Sequence, residues 1–203
     1  MENNINSKML RVWEASALIA LCLALCAATW AQGKQDSISS GLVRLHVIAV
    51  SDDTEEQEIK LRVRDAVLDY LRPALEGAEN SYEAEKLIKQ EIDGIEKAAA
   101  SAAEGRAVTV TLSRESYPTR QYLGFTLPAG RYESLRIILG EGAGHNWWCV
   151  VFPPLCLDAS GAEEIKDVMS PEDYAIITED EEYQLRFKAV ELWGELVERF
   201  STK

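Results

Sequence analysis

Leu42-Val43-Arg44-Leu45-His46-Val47-Ile48-Ala49-Val50 runs directly into Ser51-Asp52-Asp53. The first nine residues are rich in β-branched and apolar side chains, the composition of a strand with little exposure. The polar trio that follows is a turn and helix-start cluster. Asp53 or Thr54 can cap a helix, with Glu56 or Gln57 three residues further on. Beyond them apolar residues recur at Ile59, Val63, Ala66, Val67, Tyr70 and Leu71, the spacing of one helix face. Pro73 follows closely, and a helix can end or restart there. The fold therefore begins with a strand that feeds a helix.

Working outward, a second helical stretch starts near Asn80-Ser81 and carries Ala84, Leu87, Ile88, Ile92 and Ile95 before an alanine-rich end at Gly105. After Gly105 the period changes to two. Val108, Val110 and Leu112 alternate with Thr109 and Thr111, and Tyr122 to Leu127 and Leu135 to Leu139 add two more β-rich runs, read as antiparallel neighbours. Trp147 to Phe152 reads as a further strand, which Pro153-Pro154 must stop or confine to an edge, because neither can donate to a ladder. Pro171 marks a helix start or a turn. Tyr183, Phe187, Val190, Trp193, Val197 and Phe200 predict a C-terminal amphipathic helix docked on the sheet. The expected class is α+β: a mainly antiparallel sheet packed against helices, with an N-terminal strand-helix-helix unit and the C-terminal helix.

The 203 residues, 47% hydrophobic and 27% charged, suit one globular domain with its own core. A net charge of −13 leaves no basic surface to neutralise phosphates, so nucleic acid is not an expected partner. Ala15 to Ala31 is free of charge, follows Lys8 and Arg11, and precedes the polar stretch Gln32 to Ser37. At about 17 residues it fits either a signal peptide, with cleavage after Ala28 or Ala31, or a short membrane anchor. Residues 1–31 are thus read as signal or anchor, 32–41 as a polar linker and 42–203 as a single exported domain close to a membrane. Both outcomes for the apolar segment stay open.

Of the four cysteines, Cys22 and Cys26 sit in the apolar segment as small apolar residues. Cys149 and Cys156, close together in an exported domain, are expected to form a disulfide. Closing a loop of about eight residues contributes roughly 2.5 kcal/mol on chain entropy. Their spacing is not that of a zinc site, and neither a metal nor another cofactor is expected.

Gly140-Glu141-Gly142-Ala143-Gly144 lacks the third glycine and the following helix of a dinucleotide loop, so it reads as a hairpin loop. The chain holds two histidines. His46 reads as a hydrogen-bonded core or edge residue, whereas His145, in the glycine loop, is the better site candidate. Neither belongs to a Gly-x-Ser-x-Gly elbow or a His-Glu-x-x-His motif, and no aspartic-protease signature occurs. Trp147 and Trp148 would point to opposite faces of a strand, as core rings or as contact residues.

The stretch His145-Asn146-Trp147-Trp148-Cys149-Val150-Val151-Phe152-Pro153-Pro154-Leu155-Cys156, with Leu45-His46-Val47-Ile48-Ala49, Ser51-Asp52 and Leu61 to Val67, resembles the stage II sporulation protein R family. Tyr117-Pro118, Gly124 and Pro128 to Tyr132 suit the family's middle region, and the resemblance runs from about Leu42 to the C-terminal helix. The apolar segment departs from it, since acidic Glu2 and Glu14 weaken the positive flank. The resemblance implies a non-enzymatic signalling protein made in the forespore and exported to the space between forespore and mother cell. There it would activate a membrane-embedded aspartic protease, stage II sporulation protein GA, which processes the precursor of a mother-cell sigma factor. The expected contact surface is His145, Asn146, Trp147, Trp148, Phe152, Pro153 and Pro154. The rivals are an extracytoplasmic hydrolase using His145 with an acidic partner, and a structural envelope protein.

Overall fold

In the computed structural model, residues 2–122, 124–156, 165, 166 and 168–178 are described. The strand read from Leu42 to Val50 is β1 (Val43–Ile48), and all six of its residues are buried. The helix after it, α2 (Thr54–Leu75), runs through Pro73. Asp53 occupies its N-cap without a side-chain cap bond. The expected reciprocal capping gives way to a local clasp, in which Ser51 Oγ donates to Asp53 (2.8 Å) and Gln57 Nε2 donates to the Ser51 carbonyl (2.8 Å).

The second helical stretch breaks at Glu91 into α3 (Ser81–Gln90) and α4 (Ile92–Ala102). Here the cap forms: Asn80 accepts from the Glu83 amide at 3.0 Å, and Glu83 reaches back to the Glu79 amide. The strands β2 (Val108–Tyr117), β5 (Gly130–Leu139) and β6 (Asn146–Phe152) join β1 in one sheet of order β2-β5-β1-β6. The β2–β5 and β1–β6 pairs are antiparallel, while β1 and β5 are parallel, with Leu45 beside Leu135. The α+β class with a mainly antiparallel sheet is thus the observed one.

Two readings need correction. Tyr122 to Leu127 is not a strand of this sheet. It splits into β3 (Arg120–Tyr122) and β4 (Phe125–Leu127), a separate hairpin, with Gly124 at φ 86° between them. Nor is the glycine loop a hairpin, because β1 lies between β5 and β6. The loop must cross the end of β1, a span of two interstrand spacings or about 10 Å. Gly140 (φ 56°) and Gly142 (φ 64°) supply the left-handed conformations for that crossing.

The sheet is covered on both faces. Val43, Leu45 and Val47 face α2, α3 and α4, packing with Ile59, Val63, Leu71, Ile88 and Ile95. On the other face a second cluster joins Ile38, Leu42, Tyr117, Leu127, Tyr132, Val150 and Ile176. The last comes from α5 (Pro171–Thr178), which starts at Pro171; the Ser170 hydroxyl accepts from the Asp173 amide. The expected helix over Tyr183 to Phe200 lies outside the described residues.

The apolar segment and the stretch read as a linker form one helix, α1 (Glu2–Ser40). The reason lies at its end. Ile38 is buried in the second cluster, Ser37 donates to Asp173 at 2.7 Å, Lys34 pairs with Glu172 and Asp173, and Gln35 donates to the Ala129 carbonyl. These contacts hold 34–40 helical, where polarity alone suggested a linker.

Candidate functional site

β6 is the carrier of the expected contact surface, and its alternation divides that surface. Trp147 turns to the helices, half-buried, with the Arg64 guanidinium 4.4 Å from its ring. Trp148 turns to the other face, stacked on His46 at 4.2 Å and set edge-on to Tyr117 at 4.9 Å. Phe152 and Pro153 are buried, whereas His145, Asn146 and Pro154 are exposed. The stretch 145–156 is an edge strand closed by a turn. Cys149 and Cys156 are disulfide-bonded, with Cα atoms 5.4 Å apart. Replacing Cys156 by Ser is expected to remove roughly 2.5 kcal/mol under oxidising conditions and nothing measurable under reducing ones, read by paired urea titrations.

The loop crossing at Gly144 brings His145 onto the turn between β1 and α2. Its amide donates to Asp52 Oδ1 at 2.6 Å, and its ring Nδ1 lies 2.5 Å from the same oxygen. These bonds, the ring's first, hold the Asp52 carboxyl below its ordinary range. The His145 carbonyl accepts from Lys60 Nζ at 3.0 Å; Lys60 is itself buried, also bonds Gln57, and has its pKa lowered by that burial. Sequence reasoning had His145 but missed Asp52 and Lys60. Ser51-Asp52-Asp53 carried the signal, read there only as a helix start.

A His–Asp couple of this kind can orient an imidazole for proton transfer. It has no thiolate beside it, because Cys149 is oxidised. Among the described residues, no group of three His, Cys, Asp or Glu side chains is arranged to hold a metal ion.

On the opposite face, β1 buries a second polar cluster. Arg44, read as part of an apolar strand, lies fully buried with its guanidinium carbon 4.1 Å from the Tyr117 ring and 5.0 Å from the Tyr132 ring; it donates to the Tyr122 hydroxyl. His46 Nδ1 lies 3.3 Å from Glu115, whose other oxygen meets Arg136 at 3.2 Å. Burial lowers the His46 pKa and raises those of Tyr117, Tyr122 and Tyr132.

The sign of the pH dependence follows. The unfolded chain protonates His46 near 6.5 while the folded one resists, so stability falls as pH drops below 6.5. Unfolded tyrosines ionise near 10 while the buried ones keep their protons, so stability also falls as pH rises above 10. Tyr117→Phe should make the alkaline decline shallower, by up to about 1.4 kcal/mol per pH unit. Thermal melts of both chains from pH 9 to about 12 measure this.

Fold and site together define a disulfide-closed α+β domain carried on an apolar N-terminal helix. Residues 39–161 match the family described as Stage II sporulation protein R. A protein of that description from Bacillus subtilis (strain 168) is 36% identical over 130 residues, covering 62% of this chain and 58% of the relative. The match thus spans less than two thirds of that protein. No solved structure matches. The chain belongs to the stage II sporulation protein R family, as its β1 and β6 residues led us to expect.

Proposed function

We propose that this protein is an exported sporulation signal that activates a membrane-embedded aspartic protease, stage II sporulation protein GA, and so drives processing of a mother-cell sigma-factor precursor. On this reading 1–31 serve as export signal or anchor and the remainder acts beyond the forespore membrane, without catalysis of its own. The observation that carries it is the union, inside a sporulation family, of a disulfide-closed domain with a helix exposed along its apolar length. Val12, Trp13, Leu18, Ile19, Leu23 and Leu25 are all exposed, and from Arg11 to Ser40 the helix is long and apolar enough to cross a membrane. Such a surface calls for lipid or an export channel, and the disulfide suits an oxidising compartment.

Activation requires that the signal bind the active form of the protease better than the inactive one. The start of β6, with exposed His145 and Asn146, is one place available for that contact, and exposed Pro154, beyond the other end of the strand, is another. Co-expression of the full chain with the protease and its precursor substrate tests the reading: cleavage should appear only when the chain is present. Cleavage that is equal without it sinks the proposal.

The His145–Asp52 contact favours one rival, a hydrolase. His145→Ala and His46→Ala should abolish function in that case, provided the variants fold. Activation that survives both substitutions rejects it.

A further inference from the structure

Three guanidiniums gather over the sheet face away from α2, and the described residues bring them a single carboxylate. Arg136 has Glu115 at 3.2 Å, and Glu115 is already shared with His46 and the Tyr117 hydroxyl. Arg120 stands 5.0 Å over the Trp148 ring. Arg44 is fully buried, and beyond its bond to the Tyr122 hydroxyl its Nε and Nη1 have no acceptor. Arg136 Nε and His46 Nε2 are buried without a partner as well. Arg136 lies beside His46 in register, and His46 is two residues from Arg44, so all three side chains leave the same face.

The tyrosine rings around Arg44 stabilise its charge only in part. A ring face attracts the cation but offers its remaining N–H groups no acceptor, and a buried donor left unpaired is costly. A face rich in buried donors and short of acceptors calls for an anion.

The chain itself carries one close by. α5 packs on β4, Phe125 of β4 stacks on Tyr122, and the Tyr122 hydroxyl accepts from Arg44. Ile176 and Ile177, near the end of α5, are buried in the same cluster as Tyr117 and Tyr132. Chain that continues past Thr178 therefore departs from this face. It continues as Glu179-Asp180-Glu181-Glu182, the longest unbroken acidic run in the sequence.

We propose that this acidic run is an internal ligand: its carboxylates bind Arg44 and Arg120 and strap the C-terminal segment across the second face of the sheet. An anchor there also fixes which face the expected helix beginning at Tyr183 covers, namely the one that holds Trp148. A diffusible carboxylate or phosphate would meet the same donors, but it has to compete with carboxylates tethered beside them.

The test uses the full chain in detergent micelles. Neutralising the run (Glu179→Gln, Asp180→Asn, Glu181→Gln and Glu182→Gln together) is expected to raise the unfolding equilibrium constant about tenfold in urea titrations. Relief of a net charge of −13 acts in the opposite direction, so such a loss cannot come from that source. In an Arg44→Met background the same neutralisation should cost less than about threefold, because the partner is gone. A loss as large without Arg44 as with it overturns the proposal, and so do equal titrations of the unaltered and neutralised chains. Should Arg44→Met fail to fold, the Nε proton of the native Arg44 decides: its NMR resonance should move when the run is neutralised, and an unmoved one overturns the strap. Sodium acetate or phosphate is expected to leave the unaltered chain no more stable than sodium chloride at equal ionic strength does. A gain would show the site open to a diffusible anion and overturn the strap in its favour.

Discussion

Gly144→Ala is expected to cost about 3 kcal/mol of stability, because the new methyl has no space to occupy. A Cβ at this position would lie within 2.5 Å of the Ser51 carbonyl carbon and 2.9 Å of its Cα. Both are backbone atoms, so no rotamer change relieves the contact. Ser51 cannot easily retreat, since Gln57 holds its carbonyl and the Gly144 amide bonds Ala49 at 3.0 Å. Moving the loop instead takes His145 away from Asp52 and Lys60. A urea titration should show the loss, and the Asp52 carboxyl should titrate closer to its ordinary range in the variant. Gly77→Ala is the control, because a Cβ there meets nothing within 4 Å. An unchanged midpoint for Gly144→Ala would show that the crossing is looser than its geometry demands.

The second large effect concerns where the domain begins. A chain starting at Gln32 keeps every contact that α1 makes through Lys34, Gln35, Ser37 and Ile38, and is expected to melt as the intact domain does. A chain starting at Leu42 loses them all. Ile38 is 1% exposed, and its burial contributes about 2 kcal/mol. Asp173 would also lose the Ser37 hydroxyl, and a hydrogen bond to a charged group contributes about 1.5 kcal/mol. The shorter chain should therefore be destabilised by about 3.5 kcal/mol, a large share of an ordinary domain's stability. Equal melting of the two would mean that the end of α1 contributes nothing.

Local order was legible in the sequence where composition and period agreed. The step from β1 to α2 and the alternation of Val108 to Leu112 are both such cases, and Pro153-Pro154 did mark an edge. Pairing was less legible. Both faces of β1 are buried, so its composition announces a covered strand without saying that it lies between β5 and β6. The glycine loop followed from that gap: without β1 placed between its flanking strands, a short turn was the simpler inference. Arg44 was hidden by its apolar neighbours, since only the assembled tyrosine rings show how a guanidinium can be accommodated there.

The candidate site was half legible for a similar reason. His145 stands out as one of two histidines, but Asp52 is distant in the chain and meets it only through the crossing at Gly144. The tryptophans were left between core and contact, and the structure places each ring half-covered on its own face of the sheet. The family resemblance depended less on such geometry, because the unusual string from Asn146 to Cys156 identifies itself by composition.

The unbroken run of α1 into the domain also fixes a length. From Gln32 to Ser40 the helix rises about 13 Å at 1.5 Å per residue. Left uncut, it would hold the domain at that height and confine it to the plane of the membrane, where its local concentration is high but its range is short. Cut after Ala31, the same helix end would travel with a freely diffusing particle whose folded shape is unchanged. On the proposed signalling role, a peptidase, rather than any change in affinity, would then decide whether the message is addressed to a neighbour or broadcast.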